Sequence, residues 1–379
     1  MSQVTKKDEE KVIVAAVEGG GTSFVVAIAQ IQVGTTSIPK ILHRLDVDSS
    51  HDKPVETLRE CCEFLEKHKP DGGYHALGLA TFGPVGLNES DPKTYGSILA
   101  SSPKASWRNV NLLQPLAKAC RGTDRNLAIQ VETDVNAPAL AEYMLENDKL
   151  SSCAYITVGT GVGVGLVIHG KPVHGMMHPE GGHVPVQPLD GDKFPGYSWG
   201  EKSPFRGIRT VEGMACSVAL TERLQQLTGK KNLPRSCLAD LKDDHEIWDH
   251  AANALANLCT TLILTTSVEK IVIGGGIMNR NGLLEKIQNR TRVLINNYLQ
   301  LPKDMSKLIT KSVYGSDVGL TGALVLAQRA YELDQGDDDT PKKSSSSSPF
   351  VVGMWHGIPV GLVLGAVLTT WIITRSKKI

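Results

Sequence analysis

Three glycine turns and one carboxylate carry the chemistry that can be read from this chain. Glu18-Gly19-Gly20-Gly21-Thr22 lies between the apolar runs Val12 to Val17 and Phe24 to Ala29. Strand, tight glycine turn, strand describes a hairpin whose loop amides can wrap a phosphate, with the Thr22 hydroxyl as a further donor. The same logic returns in YITVGTGVGVGLVI, Tyr155 to Ile168, where Gly159, Thr160 and Gly161 form the turn. A third turn, Gly274-Gly275-Gly276, follows Lys270-Ile271-Val272-Ile273. Glycines at the carboxyl end of a strand are where open α/β sheets hold nucleotides. In Val131-Glu132-Thr133-Asp134-Val135-Asn136-Ala137-Pro138, Asp134 closes a strand ahead of an Ala/Leu/Glu helix. A carboxylate aimed into a cleft between phosphate loops can act as general base, taking a proton from a hydroxyl as that oxygen attacks a γ-phosphoryl group. The same residue also suits helix N-capping, and local pattern leaves both roles open. Rival motifs fail on spacing: Val164 stands where GxGxxG requires its last glycine, and Pro172 where a P-loop needs a hydroxyl.

Two similar hairpins predict two similar lobes, each offering one phosphate loop to a shared cleft. At 379 residues and 41% hydrophobic, the chain is long enough for two domains or one two-lobed domain. Its 40 Lys+Arg and 40 Asp+Glu cancel, which argues against a nucleic-acid partner. Seven scattered cysteines without a CxxC give no disulfide framework. The start, MSQVTKKDEEKV, has no apolar h-region, so a reducing compartment is expected.

Composition changes abruptly after Leu333. Residues 334–349 are charged and then serine-rich, a flexible linker by composition, whereas 350–374 carry no charge and RSKKI closes the chain. At ~1.5 Å per residue those uncharged positions reach ~37 Å, enough for a ~30 Å hydrocarbon core, and are read as one C-terminal transmembrane helix. The expected organisation is an N-terminal tail over 1–11, an N-terminal lobe over 12–135, a C-terminal lobe over 136–333 whose last helix packs back on the first lobe, the linker, and the anchor. The body is expected in the cytosol, on the mitochondrial outer membrane or the endoplasmic reticulum.

In order along the chain, VEGGGT, GLATFGPVGLN, TYGSI, SSPKASW, ETDVNAPALAE, YITVGTGVGVG, HGMMHPEGGHV, VEGMACS, IVIGGGIM and GLTGALVLA resemble the repressor, open reading frame, kinase (ROK) family of sugar kinases, most closely its fructokinase branch. The resemblance covers Val12 to about Ala330. It implies an α/β fold of two-lobed, actin-like ATPase (ribonuclease H-like) type, with a sugar in the interlobe cleft and ATP with Mg2+ across the hairpin loops. By position it makes Asp134 the catalytic base. Gly20, Gly21 and Thr22 become the first phosphate loop, Gly159, Thr160 and Gly161 the second, and Gly274 and Gly275 lie beside the adenosine. Glu180, His183 and Glu212 become sugar ligands, with Gly83, Pro84 and Asn88 lining the sugar side and Trp107 a packing residue. Without the resemblance, Glu180 reads as surface and His183 as core.

Two departures stand out. Ser203 to Glu212 has no cysteine or histidine, so the structural zinc that family members usually bind is not expected here, and the loop must find another brace. Ser23 stands where a lysine commonly follows GGT. Only 17 residues precede Glu18, too few for the repressors' DNA-binding domain. The reading is therefore a membrane-anchored kinase converting fructose to fructose 6-phosphate, with a homodimer as the family's usual assembly. The alternatives are a kinase for glucose, mannose or N-acetylmannosamine, or a sugar-sensing scaffold with little turnover.

Overall fold

Small and β-branched residues crowd the first fifty positions, and they pair as a meander of β1 (Val12–Gly19), β2 (Ser23–Ile31) and β3 (Lys40–Asp48). The computed structural model describes residues 12–336 apart from 33, 34, 36, 50, 51, 147 and 148. Helix α1 (Pro54–Lys67) leads to β4 (Ala76–Thr81), and α2 (Leu113–Cys120) to β5 (Ala128–Thr133). Both strands lie parallel to β1, giving the order β3-β2-β1-β4-β5. Every residue of β4 is buried, as expected of a strand covered on both faces.

After α3 (Asn136–Met144) the design repeats. Strands β6 (Ser152–Val158), β7 (Val162–Ile168) and β8 (Lys171–Pro172) form a second meander. Then come α4 (Val211–Ala215), α5 (Ser217–Thr228), α6 (Ile247–Thr266), β9 (Lys270–Gly274), α7 (Leu283–Ile295), β10 (Ile309–Lys311) and α8 (Val318–Gly336). The order β10-β9-β6-β7-β8 is the first sheet's order read from the other edge.

The two sheets share a middle layer. Helix α8 packs on β1, β4 and β5, α3 packs on β6 and β7, and the two helices pack on each other. From Val318 to Ala330 α8 is buried almost all round, the signature of a helix enclosed on every side. One core fills this layer; two more lie on the outer faces, against α1 and α2 in one lobe and α4 to α7 in the other.

Register does the positioning. Gly19 pairs with Thr81 and Thr81 with Thr133, so β1, β4 and β5 end level and deliver Gly20, Phe82 and Asp134 to one edge. Phe82 N–H donates to Gly19 O and Asp134 N–H to Thr81 O, both at 2.8 Å. In the other sheet Thr157 pairs with Gly274, bringing Gly159 to Gly161 beside Gly275. One detail differs from the sequence reading: Glu18 and Gly19 are the end of β1, paired with Val25 and Phe24, because the ladder continues until Gly20 turns.

All seven cysteines are unpaired. Among the described residues no helix is long and apolar enough to cross a membrane. The anchor read over 350–374, most of the linker and the 1–11 tail lie outside the described residues.

Candidate active site

The first glycine turn closes through Gly20 N–H to Ser23 O (2.9 Å), leaving Gly21 and Thr22 exposed at the sheet edge. A Cβ at Gly21 would meet nothing, so the peptide there is open to a ligand. Behind it, Glu18 accepts a backbone hydrogen bond from Leu320 in the first turn of α8. Burial pushes its pKa up to about 7, Asp134 adds to the rise, and Arg44 opposes it. Arg44 is itself held by Asp46 (2.9 Å) and Asp317 (3.0 Å).

Asp134 does not cap α3. The N-cap position is Val135, with no side-chain bond, and the Thr133 hydroxyl takes the Asn136 N–H at 3.0 Å. The carboxyl is thereby left to the cleft. It keeps a little exposure, yet burial raises its pKa to about 6 against the opposing pull of its own backbone N–H and the Lys104 charge.

Facing it is the HPEGGH turn. Glu180 keeps 46% of its side-chain surface open, with His178 Nδ1 3.6 Å and His183 Nε2 4.0 Å from its oxygens. Burial, then the like charges of Glu212 and Asp134, push Glu180 to about 7. Two other predicted residues, Glu212 and Asp134, thus bear on Glu180. Glu212 is fixed by Val162 N–H (2.9 Å) and Trp199 Nε1–H (2.6 Å). Its carboxylate lies so close to the second phosphate turn that a Cβ at Gly161 would be 2.5 Å from it. His183 is partly exposed at 24%, not a core residue. Gly83 and Pro84 are half-buried. Asn88 is exposed, and its Oδ1 accepts from Ser90 N–H (3.0 Å), so its side chain serves its own turn. Trp107 is fully buried and stacks on Phe24 with centroids 5.1 Å apart.

His178 was not singled out from sequence. It is buried against Gly83, and its Nε2 accepts from Val85 N–H at 3.4 Å, which assigns the proton to Nδ1. Burial lowers its pKa, keeping the ring neutral as it joins the Gly83 loop to Glu180. The HP preceding EGG was its only signal, and such a pair is common in ordinary turns.

The segment leading into the Ser203–Glu212 loop carries a buried ion pair. Arg223 of α5 donates to both oxygens of Asp192 (2.8 and 2.9 Å), each side chain only 4% exposed. His250 Nδ1 lies 3.1 Å from the same carboxylate, and the guanidinium sits 4.4 Å over Phe194. Burial pushes Asp192 up, but the Arg223 and Phe194 hydrogen bonds hold its carboxyl below the usual range. Among the described residues no three His, Cys, Asp or Glu side chains are grouped to hold a metal ion.

At the second glycine turn, Gly159 N–H donates to Gly161 O (2.9 Å), Ser217 N–H to Gly159 O (2.8 Å), and Arg235 to the Thr160 hydroxyl (2.9 Å). Gly275 has φ +92°, and a Cβ there would lie 2.4 Å from Val158 O, so only glycine serves. A cavity of about 450 Å3 opens beside Gly276, lined by Ser217, Arg235, Trp248, Asn279 and Arg280. Arg280 lies 4.6 Å over Trp248 and donates to the carbonyls of Leu238 and Leu241, forming a fixed wall.

Two equivalent sheets around a shared helical layer, with a glycine turn from each beside one buried carboxylate, define a two-lobed phosphotransferase fold. The ROK family profile matches residues 14–330, and the chain belongs to the ROK family. It is an ATP-dependent carbohydrate kinase. The fructokinase of Zymomonas mobilis is 32% identical over 325 residues, covering 85% of this chain and 98% of that protein. The fructokinase of Pediococcus pentosaceus is 30% identical over 319 residues, covering 84% and 98%. Among solved structures, the ROK hexokinase of Thermus thermophilus superposes with TM-score 0.63 at 21% identity, over 86% of this chain and all of that one. The Streptomyces griseus ROK glucokinase, in complex with glucose and AMPPNP, gives 0.60 at 20% identity over 84% and 99%.

Proposed function

We propose that this enzyme transfers the γ-phosphoryl group of Mg-ATP to a hexose hydroxyl, converting fructose to fructose 6-phosphate. The observation that carries the reading is that Asp134, uncommitted to capping, and Glu212, beside the second glycine turn, both act on Glu180. The fructokinase relatives support the choice of sugar, their identity being higher than the 25% of the Haemophilus influenzae N-acetylmannosamine kinase. Glu180, His183 and Glu212 orient the sugar hydroxyls, and the Gly83–Pro84 loop walls the sugar side. ATP phosphates lie on Gly20 to Thr22 and Gly159 to Gly161, and adenosine beside Gly274 and Gly275. Asp134 takes the hydroxyl proton as the oxygen bonds to γ-phosphorus; the bond to the bridging oxygen breaks and ADP leaves.

Glu18, near the end of β1 beside the first glycine turn, is an oxygen donor that would hold Mg2+, and Asp134 adds a second carboxylate charge there. Held by Glu18, Mg2+ would supply positive charge to offset that of the phosphates. Lobe closure excludes water so that the sugar takes the phosphoryl group. The uncharged run 350–374 tethers the body to a membrane, facing the cytosol, and the assembly is a homodimer.

ADP release with Mg-ATP and a hexose panel tests the chemistry. Fructose-dependent turnover is expected, falling by at least ~10³-fold in Asp134→Asn, since loss of the base removes the proton acceptor. Turnover with another hexose alone would change the substrate; an undiminished Asp134→Asn rate would remove Asp134 from its role. A chain ending at Ser348 is expected in the supernatant of a membrane fractionation, and its pelleting with membranes would sink the tether.

A further inference from the structure

The segment Ser102-Pro103-Lys104-Ala105-Ser106-Trp107 ties the two N-lobe loops of the cleft together. Trp107 stacks on Phe24, just beyond the first glycine turn, and the Ser102 hydroxyl donates to Gly83 O (3.4 Å) and accepts from Lys104 N–H (3.3 Å). From this frame the Lys104 side chain reaches the first turn, where Nζ donates to Gly21 O. The ammonium also lies 4.7 Å over the Phe82 ring, and its charge is felt at Asp134.

Each contact constrains what Lys104 can do. An ammonium has three donors, and among the described residues the Gly21 carbonyl is the one acceptor found for it. The Phe82 face shields one side, which strengthens the cation's pull on any anion reaching the other. The peptide it touches stands open to a ligand. From its loop Lys104 thus reaches the edge where β1 and β5 end, with Asp52 and then Asp134 as the charges that act on it. Arg235, by contrast, sits on the Thr160 hydroxyl in the other lobe, beside the nucleotide cavity.

We infer that Lys104 is a catalytic residue: its ammonium leaves the Gly21 carbonyl to hold the γ-phosphoryl oxygens during transfer. This rests on the kinase reading above. The hydroxyl proton still goes to Asp134; Lys104 gives up no proton and stabilises charge on the transferring group.

The test uses the full-length chain with Mg-ATP and the hexose that wild type turns over best, comparing Lys104→Met, Lys104→Gln and Lys104→Arg. A positioned electrostatic donor is worth about 10²–10³ in kcat, so the two neutral variants should lose that factor in kcat with KM for ATP moved less than about fivefold. Lys104→Arg, which keeps the charge, should stay within about tenfold of wild type. A neutral variant within threefold of wild-type kcat overturns the inference. So does an Arg variant as slow as Met, or a loss confined to KM. Unfolding of both neutral variants would make Lys104 a structural brace and also overturn it. Wild type without hexose-dependent ADP release overturns the kinase reading itself, a separate failure.

Discussion

Asp134 shows how far one residue can be read and where that stops. Its place after a strand and before a helix is plain in ETDVNAP, but capping and catalysis share that signature. Capping is removed three-dimensionally, by Thr133 taking the Asn136 N–H, which leaves the carboxyl free for the proposed role. With a pKa of about 6, Asp134 is ionised and able to accept a proton above that pH and is protonated below it. The pH profile of kcat/KM for the sugar should therefore be flat above about pH 8, bend near 7 as Glu180 and Glu18 take protons, and fall at least about tenfold per unit below ~6. An acid limb near 4 would show a carboxyl of ordinary environment and exclude Asp134. Lys104 and His178 were not legible in this way, because a lone Lys or His in a polar loop has many ordinary roles. Their significance comes from Gly21 and Val85, residues remote in sequence.

At the scale of elements, the strands and glycine turns were legible because period, β-branching and punctuation are local signals. Glu18 and Gly19 were placed in the turn because glycine reads as a break, whereas pairing with Val25 and Phe24 carries β1 two residues further. The loop before Glu212 was legible only as a deficit of metal ligands. A brace joins Asp192, in the segment leading into that loop, to Arg223 on α5, a pairing that local pattern does not reveal. Arg223→Met leaves a carboxylate with 4% exposure short of its main partner, and removing one member of a buried ion pair costs about 3–5 kcal/mol. Denaturant unfolding should show that loss. KM for the sugar should rise more than KM for ATP, since the loop also carries Trp199 to Glu212. Replacing both members, Asp192→Leu with Arg223→Met, should recover much of the stability. Equal effects on both KM values would mean that the brace does not serve the sugar side.

At the scale of the molecule, gathering carboxylates in one cleft has a cost. Glu18 and Asp134 bind protons more tightly folded than unfolded, with values near 7 and 6 against the usual 4.5 and 3.8. Stability from these groups is complete below about pH 4 and is lost as pH rises through about 7, where both must ionise in the fold. Asp134→Asn should therefore make the ligand-free protein more stable at pH 8, on the order of 1–3 kcal/mol, and by much less at pH 4. A mutant no more stable at pH 8 than at pH 4, relative to wild type, would mean that the carboxyl is well solvated. The duplicated sheets were legible from the repeated hairpins, and the last helix was expected to return to the first lobe, but its pairing with α3 was not legible, because α3 and α8 are far apart in sequence.

The cleft also contains its own chromophore. Of five tryptophans, Trp107 and Trp248 are buried and Trp355 and Trp371 belong to the tail, whereas Trp199 is 45% exposed with its indole N–H on Glu212. A sugar hydroxyl that claims Glu212 must compete with that indole, and so should change its fluorescence without any added label. Substrate arrival should thus be visible as a colour and intensity change before a single turnover occurs.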